Sequence, residues 1–60
     1  QEKDIDLEVI MPFANQTLCH YLIFRDDKEI LGNPQDFRLE FFERIDGYVI
    51  YRNSNIPLEY

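Results

Sequence analysis

Cys19 and His20 are the only thiol and the only imidazole in the chain, and a thiolate beside an imidazole base is the one nucleophilic pair these residues could make. The surrounding run, Thr17 to Arg25, is rich in strand-favouring types, and neighbours on a strand point to opposite faces. On that reading the two side chains do not meet. Cys19 is a small core residue, His20 is packed or at a surface, and no Ser-His-Asp set exists without His20. Two glycines cannot supply a glycine-rich phosphate loop. No enzymatic activity is expected.

Carboxylates form the second candidate group. Asp4, Asp6 and Glu8 alternate with apolar residues, and on a strand they share one face with neighbours about 7 Å apart. That face suits Lys or Arg of a partner. A hard cation needs several converging oxygens, and Asp26-Asp27-Lys28-Glu29 lacks the spacing of a calcium loop. The single cysteine excludes an internal disulfide and every zinc framework built on paired cysteines. No metal or cofactor is expected. Asn15-Gln16-Thr17 matches the N-glycosylation acceptor pattern, but so small a secreted domain usually carries disulfides. The match is read as accidental and the chain as cytoplasmic.

Charge sets the class of partner. Twelve acidic residues against six basic ones give a net charge of -6, which repels phosphate backbones and anionic headgroups. Direct nucleic-acid or membrane binding is disfavoured, whereas a basic protein surface is attracted and steered. The longest apolar run, Tyr21-Leu22-Ile23-Phe24, is far below the roughly 20 residues of a membrane span. The 15% aromatic content argues for a folded domain rather than a disordered one. At 60 residues there is room for one core, so residues 1–60 are expected to form a single small soluble domain.

The elements that must position these residues are read from periodicity. Residues 4–11 alternate with period two and predict a strand with Ile5, Leu7, Val9 and Met11 on its buried face, stopped by Pro12. A loop follows over 12–16. Thr17 to Arg25 is apolar on both alternating faces and predicts a central strand. Asp26 to Glu29 is a polar turn, Ile30-Leu31 a short returning strand, and Gly32-Asn33-Pro34 a break.

Two signals compete over 34–46. Asn33, Pro34, Asp36 and Gly47 punctuate a helix, with Phe37, Phe41 and Ile45 at helical spacing. Phe37, Leu39 and Phe41 also alternate with Arg38 and Glu40, and Asp46-Gly47 before Tyr48 to Arg52 is the signature of a type I′ hairpin. The strand reading keeps Arg38 on the polar face and is favoured, with 34–46 paired to 48–53. The tail from Asn53 is an extended edge or a loop on the sheet. The expected fold is mainly β, a single small antiparallel sheet or barrel-like meander of four or five strands. The alternative is α+β, a β-β-α-β order with a helix over 34–46.

If Phe37, Leu39 and Phe41 fill the core, then Phe42, Tyr48, Tyr51, Arg52 and Tyr60 exceed what it can hold. Tyr, Phe and Arg are enriched at binding hot spots. With Asp4, Asp6 and Glu8 they make up the expected partner-binding set. The function expected is non-catalytic protein binding, as an acidic inhibitor, immunity-type protein or adaptor for a basic-rimmed partner. A homo-oligomeric structural subunit is the alternative. A small-ligand or single-strand nucleic-acid binder is weakened by the missing basic groove.

Overall fold

The structure, a computed structural model, describes residues 4–58. Over 4–11 the expected strand is replaced by a two-residue strand, Ile5–Asp6 (β1), that passes directly into a helix, Leu7–Gln16 (α1). Asp6 makes the switch. Its carboxylate accepts a hydrogen bond from the Glu8 amide at 3.0 Å, capping the helix. Glu8 adds charge to the first turn, where the helix dipole favours it.

Ile10 and Ala14 decide between the two periods. With Leu7 and Met11 they complete an i, i+3, i+4, i+7 stripe, and Leu7, Met11 and Ala14 are buried. Val9 would share the face of Leu7 on a strand, yet it is 65% exposed. Pro12 lies inside the helix, and the loop expected over 12–16 is the helix's second half. Proline removes the amide that would bond the Glu8 carbonyl. Glu8 and Pro12 are both exposed, so that carbonyl lies on the solvated side.

The helix ends in the two bonds of a Schellman motif, from the Cys19 amide to the Ala14 carbonyl at 2.9 Å and from the Leu18 amide to the Asn15 carbonyl at 3.2 Å. Glycine usually occupies the left-handed position of this motif. Here it is Leu18, at φ 59°, with its side chain exposed.

The sheet is antiparallel and three-stranded, in the order β2 (Tyr21–Arg25), β5 (Tyr48–Asn53), β4 (Leu39–Ile45). The strand expected at the centre, β2, is therefore an edge, and β5 is central. A further short strand, Ile30–Leu31 (β3), pairs in parallel with β1. The β4–β5 hairpin turns on Asp46 and Gly47, at φ 50° and 82°, as the type I′ signature predicts.

Both signals in 34–46 are used, on different residues. Asn33 accepts from the Gln35 amide at 3.1 Å and Pro34 opens a single 3-10 turn, Pro34–Phe37. Arg38 ends it at φ 62°, and the strand begins at Leu39. Neither a strand nor a helix runs through the whole segment.

Leu7, Met11 and Ala14 of α1 meet Leu22 of β2 and Leu39 of β4 in one buried cluster, flanked by half-buried Ile5, Ile10, Phe24, Phe37 and Tyr51. Full burial of a Leu or Met side chain contributes about 1.5 to 3 kcal/mol. The helix thus covers the part of one sheet face around Leu22 and Leu39, while Phe41, expected in the core, is 60% exposed on the same face. The fold is β-rich with one α-helix, within the class read from the sequence, and its sheet is open rather than closed into a barrel.

Asn53, at the end of β5, is fully buried and polar. Its amide nitrogen donates to the Asn15 side chain and to the Cys19 carbonyl, both at 2.9 Å. Its oxygen accepts from the Asn55 backbone at 3.1 Å and from the Asn55 side chain at 2.9 Å. Every donor and acceptor position of the group is filled.

Leu7→Ala is expected to lower the unfolding free energy by about 2 to 5 kcal/mol, as for other buried leucines, whereas Val9→Ala stays within about 0.5 kcal/mol. Urea denaturation of both variants checks this, and equal losses would restore the strand. In the same assay Leu18→Gly should gain about 0.5 to 1 kcal/mol by relieving a left-handed leucine.

Candidate protein interface

Strand pairing places side chains of the uncovered sheet face in three rows. Tyr21, Arg52 and Glu40 lie abreast, then Ile23, Ile50 and Glu43, then Arg25, Tyr48 and Ile45. The opposite face carries Leu22, Phe24, Val49, Tyr51 and Leu39, under or beside α1. On the outer face Ile23 is 61% and Phe42 56% exposed, and Tyr21, Ile45 and Tyr48 are also exposed. Apolar side chains in such a group are what a partner surface can cover.

Phe42 reaches this face through a bulge. The register shifts between Phe41 and Glu43, leaving Phe42 as the unpaired residue. Its ring meets Tyr21 edge-on, with centroids 5.4 Å apart. The Arg52 guanidinium sits 5.8 Å from the Tyr21 ring centroid.

Acidic groups border the face. Glu40 and Glu43 lie on β4, and Asp26, Asp27 and Asp46 lie at the turn end of the sheet. Arg25 pairs with Asp27 at 3.2 Å and Arg44 with Asp26 at 3.6 Å. Glu40, Glu43 and Asp46 have no ion-pair partner among the described residues. Arg25 and Arg44 are thus each paired with a carboxylate, Arg52 keeps its charge within the face, and the unpaired carboxylates leave a negative rim.

The residues singled out from sequence separate into several places. Phe42 and Tyr48 share the outer face. Tyr51 points to the other side, where its ring lies 6.1 Å from Phe24 and 6.2 Å from Phe41, so it supports the core. Arg52 is on the outer face, but its guanidinium is held. It donates to the His20 carbonyl at 3.1 Å, to the Ile56 carbonyl at 2.7 Å and to the Asn53 carbonyl.

Asp4, Asp6 and Glu8 do not line one strand face. They gather at the start of α1, in the layer on the other side of the sheet, with Asp6 engaged as the cap. Tyr60 lies outside the described residues. Sequence reading missed Tyr21, Ile23, Ile45 and Ile50. For Tyr21 and Ile23 the signal is the apolar character of both faces of β2, which fits an edge strand with an uncovered face as well as a central one. Ile45 and Ile50, on β4 and β5, carry no such mark.

No hydrogen bond joins the thiol of Cys19 to the imidazole of His20 among the described residues. The Cys19 sulfur lies 3.3 Å from the Thr17 hydroxyl, and the buried Nδ1 of His20 has no hydrogen-bond partner among the described residues. No cluster of three or more His, Cys, Asp or Glu residues suited to a metal occurs among the described residues. A cavity of about 280 Å³, lined by Gln35, Arg38, Leu39, Glu40 and Ser54, contains neither the thiol nor the imidazole. No helix among the described residues is long and apolar enough to cross a membrane. Comparison with protein-family models, with curated proteins and with solved structures finds no match.

The held guanidinium separates a structural arginine from a binding one. Arg52→Lys keeps the charge but loses the planar fork, and is expected to cost about 1 to 3 kcal/mol of stability through unpaired carbonyls. An unchanged urea midpoint would free Arg52 to act as a contact residue.

Proposed function

We propose that the chain is a non-catalytic protein-binding domain, an acidic inhibitor, immunity-type protein or adaptor, whose outer sheet face takes a protein with a basic rim. The observation that carries the reading is the uncovered face itself: Tyr21, Ile23, Phe42, Ile45 and Tyr48 stand exposed on a rigid sheet. Large rings and branched aliphatics on such a support give much contact for little lost entropy. Unpaired Glu40, Glu43 and Asp46 favour Lys or Arg around the edge of the complementary surface. A reducing compartment such as the cytoplasm suits a domain with one free thiol.

The two parts of the surface have different kinetic signatures. Rim charges act at a distance and set the encounter rate, whereas the apolar centre acts in contact and sets the lifetime. The test is affinity capture from the native host, followed by surface plasmon resonance of the retained protein at about 50 and 500 mM salt.

The association rate is expected to fall as salt rises. Phe42→Ala should speed dissociation and cost about 2 kcal/mol or more, while Tyr51→Ala should act on stability instead. A salt-insensitive association rate would remove the steering argument, and unchanged dissociation for both Phe42→Ala and Tyr48→Ala would place the site elsewhere.

A further inference from the structure

The two edges of the sheet differ in how well they are closed. Along β4 the bulge at Phe41–Glu43 breaks the register, and Glu40, Glu43 and Arg44 are exposed. Bulges and charges of this kind discourage pairing with another strand. β2 has neither. Tyr21-Leu22-Ile23-Phe24 is wholly apolar or aromatic, without proline or bulge, and its only charge is Arg25 at the end.

Cross-strand bonds fix where the backbone of β2 points. The Asn53 amide donates to the His20 carbonyl at 2.8 Å, and the Asp26 amide to the Gly47 carbonyl at 2.9 Å. Hydrogen-bonded and non-bonded pairs alternate along an antiparallel ladder. Even-numbered residues of β2 therefore bond to β5, and Tyr21, Ile23 and Arg25 turn their amides and carbonyls to the open side. Among these groups only the Arg25 carbonyl has a bond between described residues, from the Lys28 amide at 3.3 Å.

We propose that a second copy of this chain pairs antiparallel along β2, with the two-fold axis at Ile23. Self-complementarity of the strand carries the choice of occupant. Around that axis Ile23 meets Ile23 and Tyr21 stands opposite Arg25 of the second copy, with Leu22 opposite Phe24 on the inner side. Arg25 then approaches the face or edge of a tyrosine, a favourable cross-strand pair. All three outer positions turn their backbone groups to the open side, and the Arg25 carbonyl has a second lone pair beside the one the Lys28 amide uses, so each pair exchanges two hydrogen bonds, about six in total.

The contact is isologous and uses up the same edge on both copies, leaving outward only the bulged and charged β4 edges. It therefore closes as a dimer and does not propagate. This contact runs through the strand edge and shares Tyr21 and Ile23 with the outer face proposed above, and salt tells the two apart. Two copies at net charge -6 repel, so added salt tightens the dimer while weakening the encounter with a basic partner.

Sedimentation equilibrium of the wild-type chain, up to about millimolar concentration and at the two salt levels above, reads the mass directly. A monomer–dimer equilibrium that shifts toward dimer as salt rises is expected. Ile23→Lys places like charges on the axis and should weaken self-association by about tenfold or more. Ile45→Lys, on the same face but away from β2, should leave it nearly unchanged.

Single-chain mass at every concentration overturns the proposal. Dissociation by Ile45→Lys as readily as by Ile23→Lys also overturns it, since the copies would then meet face to face. Hydrogen exchange on the unaltered chain provides a check free of folding effects. The amides of Tyr21, Ile23 and Arg25 should gain protection as concentration rises, and concentration-independent exchange there overturns the pairing.

Discussion

The side-chain amide of Asn53 draws the stretch from Asn15 to Cys19, far from it in sequence, onto the end of β5 and the turn that follows. It binds the last turn of the helix through Asn15, the connection into β2 through the Cys19 carbonyl, and the turn after β5 through Asn55. Asn55 in turn donates to the Phe37 carbonyl at 2.9 Å, bringing in the 3-10 turn. A buried amide with even one empty position costs about 1 to 3 kcal/mol. Asn53 is therefore stable only when all of these segments are in place together, which makes the helix position and the start of the sheet parts of one arrangement.

Arg52 reinforces the same region from the other face. Its fork ties the His20, Asn53 and Ile56 carbonyls, and Ile56 is itself buried. In a chain with no disulfide available, two polar side chains at adjacent positions thus do the stapling that small domains usually obtain from cross-links. A single ten-residue helix then has only one face to cover, the one over Leu22 and Leu39. The outer face stays bare because no element remains to place on it among the described residues. The exposed aromatics follow from this shortage of covering structure as much as from any demand of recognition.

Local signals survived into the fold where neighbours in sequence were also neighbours in space. The Asp46-Gly47 turn, the alternation of Tyr48 to Arg52 and the break at Gly32-Asn33-Pro34 were legible for that reason. The helix was hidden because Leu7 and Met11 satisfy both a period of two and a period of 3.6, and Pro12 reads as a stop. Only Ile10 and Ala14 separate the periods, and they gain meaning once something lies over them. Asn53 was not legible at all. Its partners Asn15 and Cys19 are 38 and 34 residues away, and an asparagine near the end of a strand carries no mark of burial. The candidate site was half visible: Phe42 and Tyr48 follow from an excess of rings, but Tyr51 differs from them only by the direction that alternation assigns after the register is known.

Charge acts in opposite senses on the two surfaces through which this domain can meet other molecules. The outer face combines apolar side chains with a carboxylate rim, so under the proposed function its encounter with a basic partner would draw on long-range attraction. The proposed pairing at the β2 edge would work through backbone hydrogen bonds and the Ile23 contact, which are short-ranged and would oppose the repulsion between two acidic chains. Pairing at β2 would set the two outer faces side by side on one continuous sheet, with Ile23 of each copy at the seam. The carboxylate rims would then stand at the outer β4 edges and the sheet ends. Pairing would therefore enlarge the apolar centre without placing acids within it, and a partner engaging both copies would gain contact area at no added electrostatic cost in the middle.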